Sequence, residues 1–115
     1  MSQVLVDGKR PAVRDDAESN RYVVEVAGER LGLIDYKMRG ENIALVHTEV
    51  DPDRSVPGLA KLLVAETLAD VRSRGLGVLP YCPYVRRTID RNREQYLDLV
   101  PEDRRAEFDL GDAAH

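Results

Sequence analysis

Ile43-Ala44-Leu45-Val46-His47-Thr48-Glu49-Val50, then the run from near Leu59 to Gly75, then Leu76-Gly77-Val78-Leu79, is the stretch that decides the fold. Ile43 to Val46 is apolar on both faces, which predicts a central, covered strand; polarity returns from His47 to Val50. After Asp51-Pro52-Asp53 the pattern changes from period two to a helical period. Ala60, Leu63, Val64, Thr67, Leu68 and Val71 fall on one side of a helix, with Lys61, Glu66, Asp70, Arg72 and Ser73 on the other. Gly75 ends this helix, and Arg72 and Arg74 suit its negative C-terminal pole. Leu76 to Leu79 reads as a short buried strand stopped by Pro80. A strand, helix, strand unit predicts a right-handed crossover and a parallel pair.

Upstream the chain reads as hairpins. Pro11 to Asp15 is a short strand, and Asp16 to Asn20 a polar turn. Tyr22, Val24 and Val26 alternate with Val23 and Glu25, as in a half-buried strand. Ala27-Gly28-Glu29 is a hairpin turn, Leu31 to Met38 the return strand, and Arg39 to Asn42 the next turn. Downstream, Pro83 is placed to open a second helix running to about Asn92. The charged tail from Pro101 is expected to fray beyond Phe108. The fold class is therefore α+β, with residues 1–110 as one domain and residues 111–115 as a disordered tail.

Composition narrows the function. A 115-residue chain holds one core. A formal net charge of -4 and 5% aromatic residues argue against nucleic-acid binding, which needs a basic footprint. No apolar run reaches the roughly 20 residues of a membrane span, and Met1 to Leu5 lacks the regions of a signal peptide. The expected location is the cytoplasm, with no membrane partner. One cysteine forms no internal disulfide, and no Cys and His cluster has metal-ligand spacing, so no metal is expected. The edge strand near Pro11 leaves the oligomeric state open.

Cys82 and His47 are the residues with chemical potential. A lone cysteine is most often a small buried hydrophobe. In Pro80-Tyr81-Cys82-Pro83-Tyr84-Val85, however, Cys82 ends a strand and stands at a helix start, where unpaired amides favour a thiolate able to attack an acyl donor. His47, the only histidine besides His115, shares a strand face with Ile43, Leu45 and Glu49 if alternation persists. It reads either as a hydrogen-bonded histidine at the core edge or as a base, with Glu49 as its orienting partner. The loop from Arg54 to Gly58 enters a helix whose first amides favour an anion, and Arg54 and Lys61 add charge. Arg86, Arg87, Arg91 and Arg93 cluster around the last helix; such a cluster is usually solvated, while Arg86 and Arg87 are placed to reach an anionic ligand.

From about Arg21 to Val100 the chain resembles the small single-domain GNAT-type acetyltransferases. The resemblance is carried by Gly32 to Tyr36, His47-Thr48-Glu49-Val50, Gly58-Leu59-Ala60 before a helix, Arg74-Gly75-Leu76, Pro80, Cys82-Pro83-Tyr84-Val85 and Tyr96 to Val100. It implies a twisted mixed sheet flanked by helices, in which Ile43 to Val50 and Leu76 to Leu79 splay to admit the pantetheine arm of coenzyme A. It implies acetyl-CoA as cofactor and an amine as acceptor. Val50, Arg54, Ser55, Gly58, Leu59, Ala60 and Lys61 become the cofactor-binding residues. Cys82 becomes the thiol proposed to take the acetyl group, and His47 or Glu49 the proton acceptor.

The loop departs from the superfamily pattern. Ser55 stands where a basic residue is usual, Val56 where glycine is common, and Pro57 lacks a backbone N–H. Loss of one charge-assisted phosphate contact is expected to weaken binding by roughly 1.5–3 kcal/mol, although Arg54 stands next door. Thr88 stands where the branch often carries Tyr. Two functions therefore compete: an acetyl-CoA-dependent transferase acting on an amine, and a catalytically degenerate fold that binds CoA or another protein.

Overall fold

Glycine and alternation set the first four strands. A computed structural model describes residues 4–53 and 56–111. In it, β1 (Ala12–Asp16), β2 (Arg21–Val26), β3 (Glu29–Arg39) and β4 (Asn42–Val50) form an antiparallel meander. Ala27 and Gly28 both take positive φ (52° and 81°), the backbone a tight hairpin between twisted strands requires. α1 (Leu59–Ser73) then crosses over the sheet, and β5 (Gly77–Pro80) joins β4 in parallel. The sheet order is β1-β2-β3-β4-β5. α2 (Pro83–Arg91), α3 (Arg93–Tyr96) and 3-10 turns at Leu97–Leu99 and Glu102–Phe108 complete the α+β architecture.

α1 buries Leu59, Leu63, Val64, Thr67, Leu68 and Val71. Full burial of one such aliphatic side chain stabilises by about 1.5–3 kcal/mol. The sheet answers with Tyr22, Ile34, Tyr36, Ile43 and Leu45. Tyr22 Oη donates to Asp70 of α1 at 2.5 Å, which identifies this as the face α1 covers.

Two sequence expectations are corrected. Val46 is 38% exposed rather than covered, for a reason given below. The tail does not fray at Phe108: Leu110 is 1% exposed, and its N–H donates to the Arg105 carbonyl at 2.8 Å. Two apolar side chains spaced through a charged segment suffice to dock it. Residues 112–115, the rest of the expected tail, lie outside the described residues.

β4 and β5 pair over only four positions, Asn42 with Gly77 through Leu45 with Pro80. β4 continues to Val50 while β5 stops, so the two strands part beyond Leu45. Among the described residues, no helix is long and apolar enough to cross a membrane.

Candidate active site

Pro80 has no N–H to offer the ladder. Cys82 supplies the next one, donating from its backbone to the Leu45 carbonyl at 2.8 Å. That bond fixes Cys82 where β4 and β5 separate. The residue is the N-cap of α2, with Pro83 in the first turn and the Arg86 N–H donating to its carbonyl at 3.0 Å. The residue is 3% exposed, and its thiol is in hydrogen-bond contact with Thr48 Oγ1 at 3.1 Å. Arg86 brings positive charge to the same turn, donating from Nη2 to the Tyr81 carbonyl at 3.1 Å.

Thr48, rather than His47, meets the thiol because of a bulge. On β3, consecutive residues Tyr36 and Asp35 pair with Leu45 and His47, leaving Val46 as an extra residue on β4. Paired residues share a face and consecutive residues do not. Leu45 and His47 therefore lie on opposite faces, and Thr48, which pairs with Ile34, regains the face of Leu45 and α1. The expectation that His47 continues the face of Ile43 and Leu45 is overturned, because alternation does not persist through Val46. His47 and Glu49 do meet, with Nε2 3.4 Å from Oε1, but on the solvent side, 55% and 63% exposed. The register thus separates His47 from Cys82.

Glu49 and Thr48 line one cavity, of about 550 Å³, together with Arg30, Gly32 and Asp51. The cavity lies along the ends of β3 and β4 and is bordered by Thr48, the residue that contacts the thiol. Gly32 is needed there for space: a Cβ would sit 2.9 Å from the Glu49 carbonyl and from Val50 Cγ1.

At the start of α1, Gly58 is the N-cap in the left-handed region (φ 89°). The Leu59 N–H donates to the Val56 carbonyl, and the Leu62 N–H to the Gly58 carbonyl. Ala60 and Lys61 are the first-turn amides with no intrahelical acceptor, and no side chain among the described residues caps them. The Leu59 side chain is fully buried, so this residue offers a ligand backbone only. Val50 is half-buried at the end of β4. Arg54 and Ser55 lie outside the described residues.

A further cavity of about 330 Å³ lies between the first turn of α1 and the outer half of α2, lined by Lys61, Tyr84, Arg87, Thr88, Arg91 and Asn92. Here the sequence reading singled out the arginine cluster but not the junction with Lys61. Periodicity gave Thr48 no role, although it stands in the His47 to Val50 run that carries the resemblance: an unbroken apolar run gives no phase from which to infer a bulge. Among the described residues, no group of His, Cys, Asp and Glu is assembled to hold a metal ion.

The arrangement provides a thiol at the mouth of two diverging parallel strands, an uncapped helix start beside them and a basic cavity beyond. A search of curated proteins found no match for the chain. The family model described as GCN5-related N-acetyl-transferase matches residues 21–99, which span β2 through the turn after α3 and so every element of the site. This match supports acetyl transfer as the class of chemistry and acetyl-CoA as the donor such proteins generally use. The chain belongs to the GCN5-related N-acetyltransferases.

Proposed function

We propose that the protein moves the acetyl group of acetyl-CoA to an amine through an acetyl-Cys82 intermediate. The observation that carries this reading is the position of Cys82 Sγ, at the point where β4 and β5 part and 3.1 Å from Thr48 Oγ1. The thioester supplies an activated carbonyl. The Cys82 thiolate attacks that carbonyl, the C–S bond to CoA breaks, and the CoA thiolate departs and takes a proton from solvent, which the amine later returns. Exchange between two thioesters is nearly balanced, so the step needs orientation more than driving force. Thr48 holds the sulfur during attack. The amine then attacks acetyl-Cys82, the C–S bond to Cys82 breaks, and the proton the amine loses passes through solvent at the edge of β4, where the His47–Glu49 pair is the nearest acceptor on the outer face. Cys82 is released as a thiolate for the next cycle.

The amides of Ala60 and Lys61, together with Gly58 and the Arg54-Ser55 segment, receive the pyrophosphate, and Val50 borders the arm. Leu59 contributes only to the backbone curve that presents them. Mass spectrometry after incubation with acetyl-CoA is expected to find acetyl on Cys82; product accumulating without it overturns the covalent route. Calorimetry at millimolar CoA and acetyl-CoA that detects no heat overturns the cofactor itself.

One observation favours a degenerate, CoA-sensing or protein-binding role. Pro57 lacks an N–H and the Leu59 N–H is already bonded to Val56, so two donors are missing from the anion site. Under this reading Ser55→Arg with Val56→Gly raises CoA affinity by about one to two powers of ten. Micromolar affinity in the native chain, unchanged by the restoration, removes it.

A further inference from the structure

The cavity between α1 and α2 holds more positive charge than a pyrophosphate at the α1 start requires. Lys61, Arg87 and Arg91 line it, and no carboxylate does. The chain is net acidic, and six other arginines, Arg14, Arg21, Arg72, Arg74, Arg93 and Arg104, each face an Asp or Glu. Among the described residues, neither Lys61, Arg87 nor Arg91 has an ion-pair partner. Arg87 instead lies 6.0 Å from the centroid of the Tyr84 ring. The neutral polar groups of the lining are already engaged: Thr88 Oγ1 donates to the Tyr84 carbonyl, and Asn92 Nδ2 to the Thr88 carbonyl. Arg87 and Arg91 stand four residues apart on α2, where like charges repel unless an anion lies between them.

Position along α2 adds a length. Arg87 and Arg91 are five and nine residues beyond Cys82, about 7.5 and 13.5 Å along the axis at 1.5 Å per residue. A ligand with its reactive carbon at Cys82 and an anionic group in this cavity is therefore elongated. Paired guanidinium groups suit a phosphomonoester, which is close to dianionic at neutral pH and offers three acceptor oxygens.

We propose that Lys61, Arg87 and Arg91 form a phosphomonoester site that reads the 3′-phosphate of CoA, so that α2 makes the protein discriminate CoA from dephospho-CoA. The identity of the ligand rests on the acetyl-CoA reading; the site itself rests on the cavity and its unpaired cations. The test is calorimetry with CoA, dephospho-CoA, 3′,5′-ADP and 5′-AMP on the native protein and on the Arg87→Ala, Arg91→Ala double variant, with thermal unfolding to confirm that these exposed substitutions leave the fold intact. The native protein is expected to bind CoA about tenfold or more tightly than dephospho-CoA. The double variant is expected to lose that preference while holding dephospho-CoA within about twofold of native affinity, as befits a contact to the absent group alone. Equal native affinities for CoA and dephospho-CoA, or a variant that weakens both alike, overturn the site. If 3′,5′-ADP binds better than 5′-AMP and loses that advantage in the variant while acetyl-CoA is neither bound nor turned over, the phosphate site stands and the acetyl-transfer reading falls. No binding by any of the four overturns both.

Discussion

Thr48 and His47 are neighbours with opposite assignments, and the difference between them is testable. Thr48→Val keeps the volume and removes the hydroxyl 3.1 Å from Cys82 Sγ. The rate of acetyl-Cys82 formation, followed by mass spectrometry, is expected to fall about tenfold, and Thr48→Ser to retain it. An unchanged rate in Thr48→Val removes the hydroxyl from the mechanism. His47→Gln should leave acetyl-Cys82 formation at the native rate, because His47 lies on the face away from the thiol; a fall in that rate returns His47 to the thiol step. Cys82 and His47 were visible in the sequence as chemistry; Thr48 was visible only as a letter in an apolar-to-polar run. What the sequence lacked was the phase of β4, since an apolar run from Ile43 to Val46 reads the same with or without an inserted residue.

At the level of elements, turns and strand spacing depend on glycines for two separable reasons. Gly28 and Gly58 both have positive φ, 81° and 89°. A Cβ at Gly28 meets nothing within 4 Å, whereas at Gly58 it lies 3.2 Å from Val4 Cγ2. Each alanine therefore costs about 1–2 kcal/mol of left-handed strain, and Gly58→Ala is expected to cost more than Gly28→Ala in denaturant unfolding. Gly58→Ala also moves the amides of the α1 start, so CoA affinity should fall in that variant and not in Gly28→Ala. Gly32 needs no unusual φ; its alanine presses on the Glu49 carbonyl at 2.9 Å and is expected to cost about 1–3 kcal/mol as overpacking. The hairpin glycines were legible from spacing. The crowding at Gly32 was not, because it depends on a partner strand 17 residues away.

Across the whole molecule, a polar network ties the edge strand β1 to the far end of α1. Asp15 accepts from Tyr36 Oη at 2.7 Å and from Arg74 at 2.9 Å. Asp70 accepts from Tyr22 and lies 3.0 Å from Arg74. Arg74→Ala leaves the Asp15 carboxylate, 10% exposed, without its cation, and is expected to cost about 1–3 kcal/mol by chemical denaturation. Burial first, then the hydrogen bond to Asp15, pushes the Tyr36 phenol up to about 12, and burial with the Asp70 bond raises Tyr22 further. A folded value above the unfolded value of about 10 means that this stability is fully present below pH about 10 and lost as pH rises toward 12. Tyr36→Phe should therefore flatten the alkaline loss of stability in that window, and the ultraviolet difference titration against the native protein should show one phenolate step near pH 12.

By itself the sequence determined the α+β class, the order of strands and helices, the buried stripe of α1 and the place of Cys82 at a strand end, because periodicity and turn chemistry are local properties. Tertiary structure decided the rest. A bulge that no alternation pattern encodes turned Thr48 toward Cys82 and His47 away, and the placement of α1 and α2 on the sheet brought Lys61, Arg87 and Arg91 to one cavity. Contacts between residues some 25 to 35 positions apart depend on sheet register and helix placement, and no short window of sequence carries either.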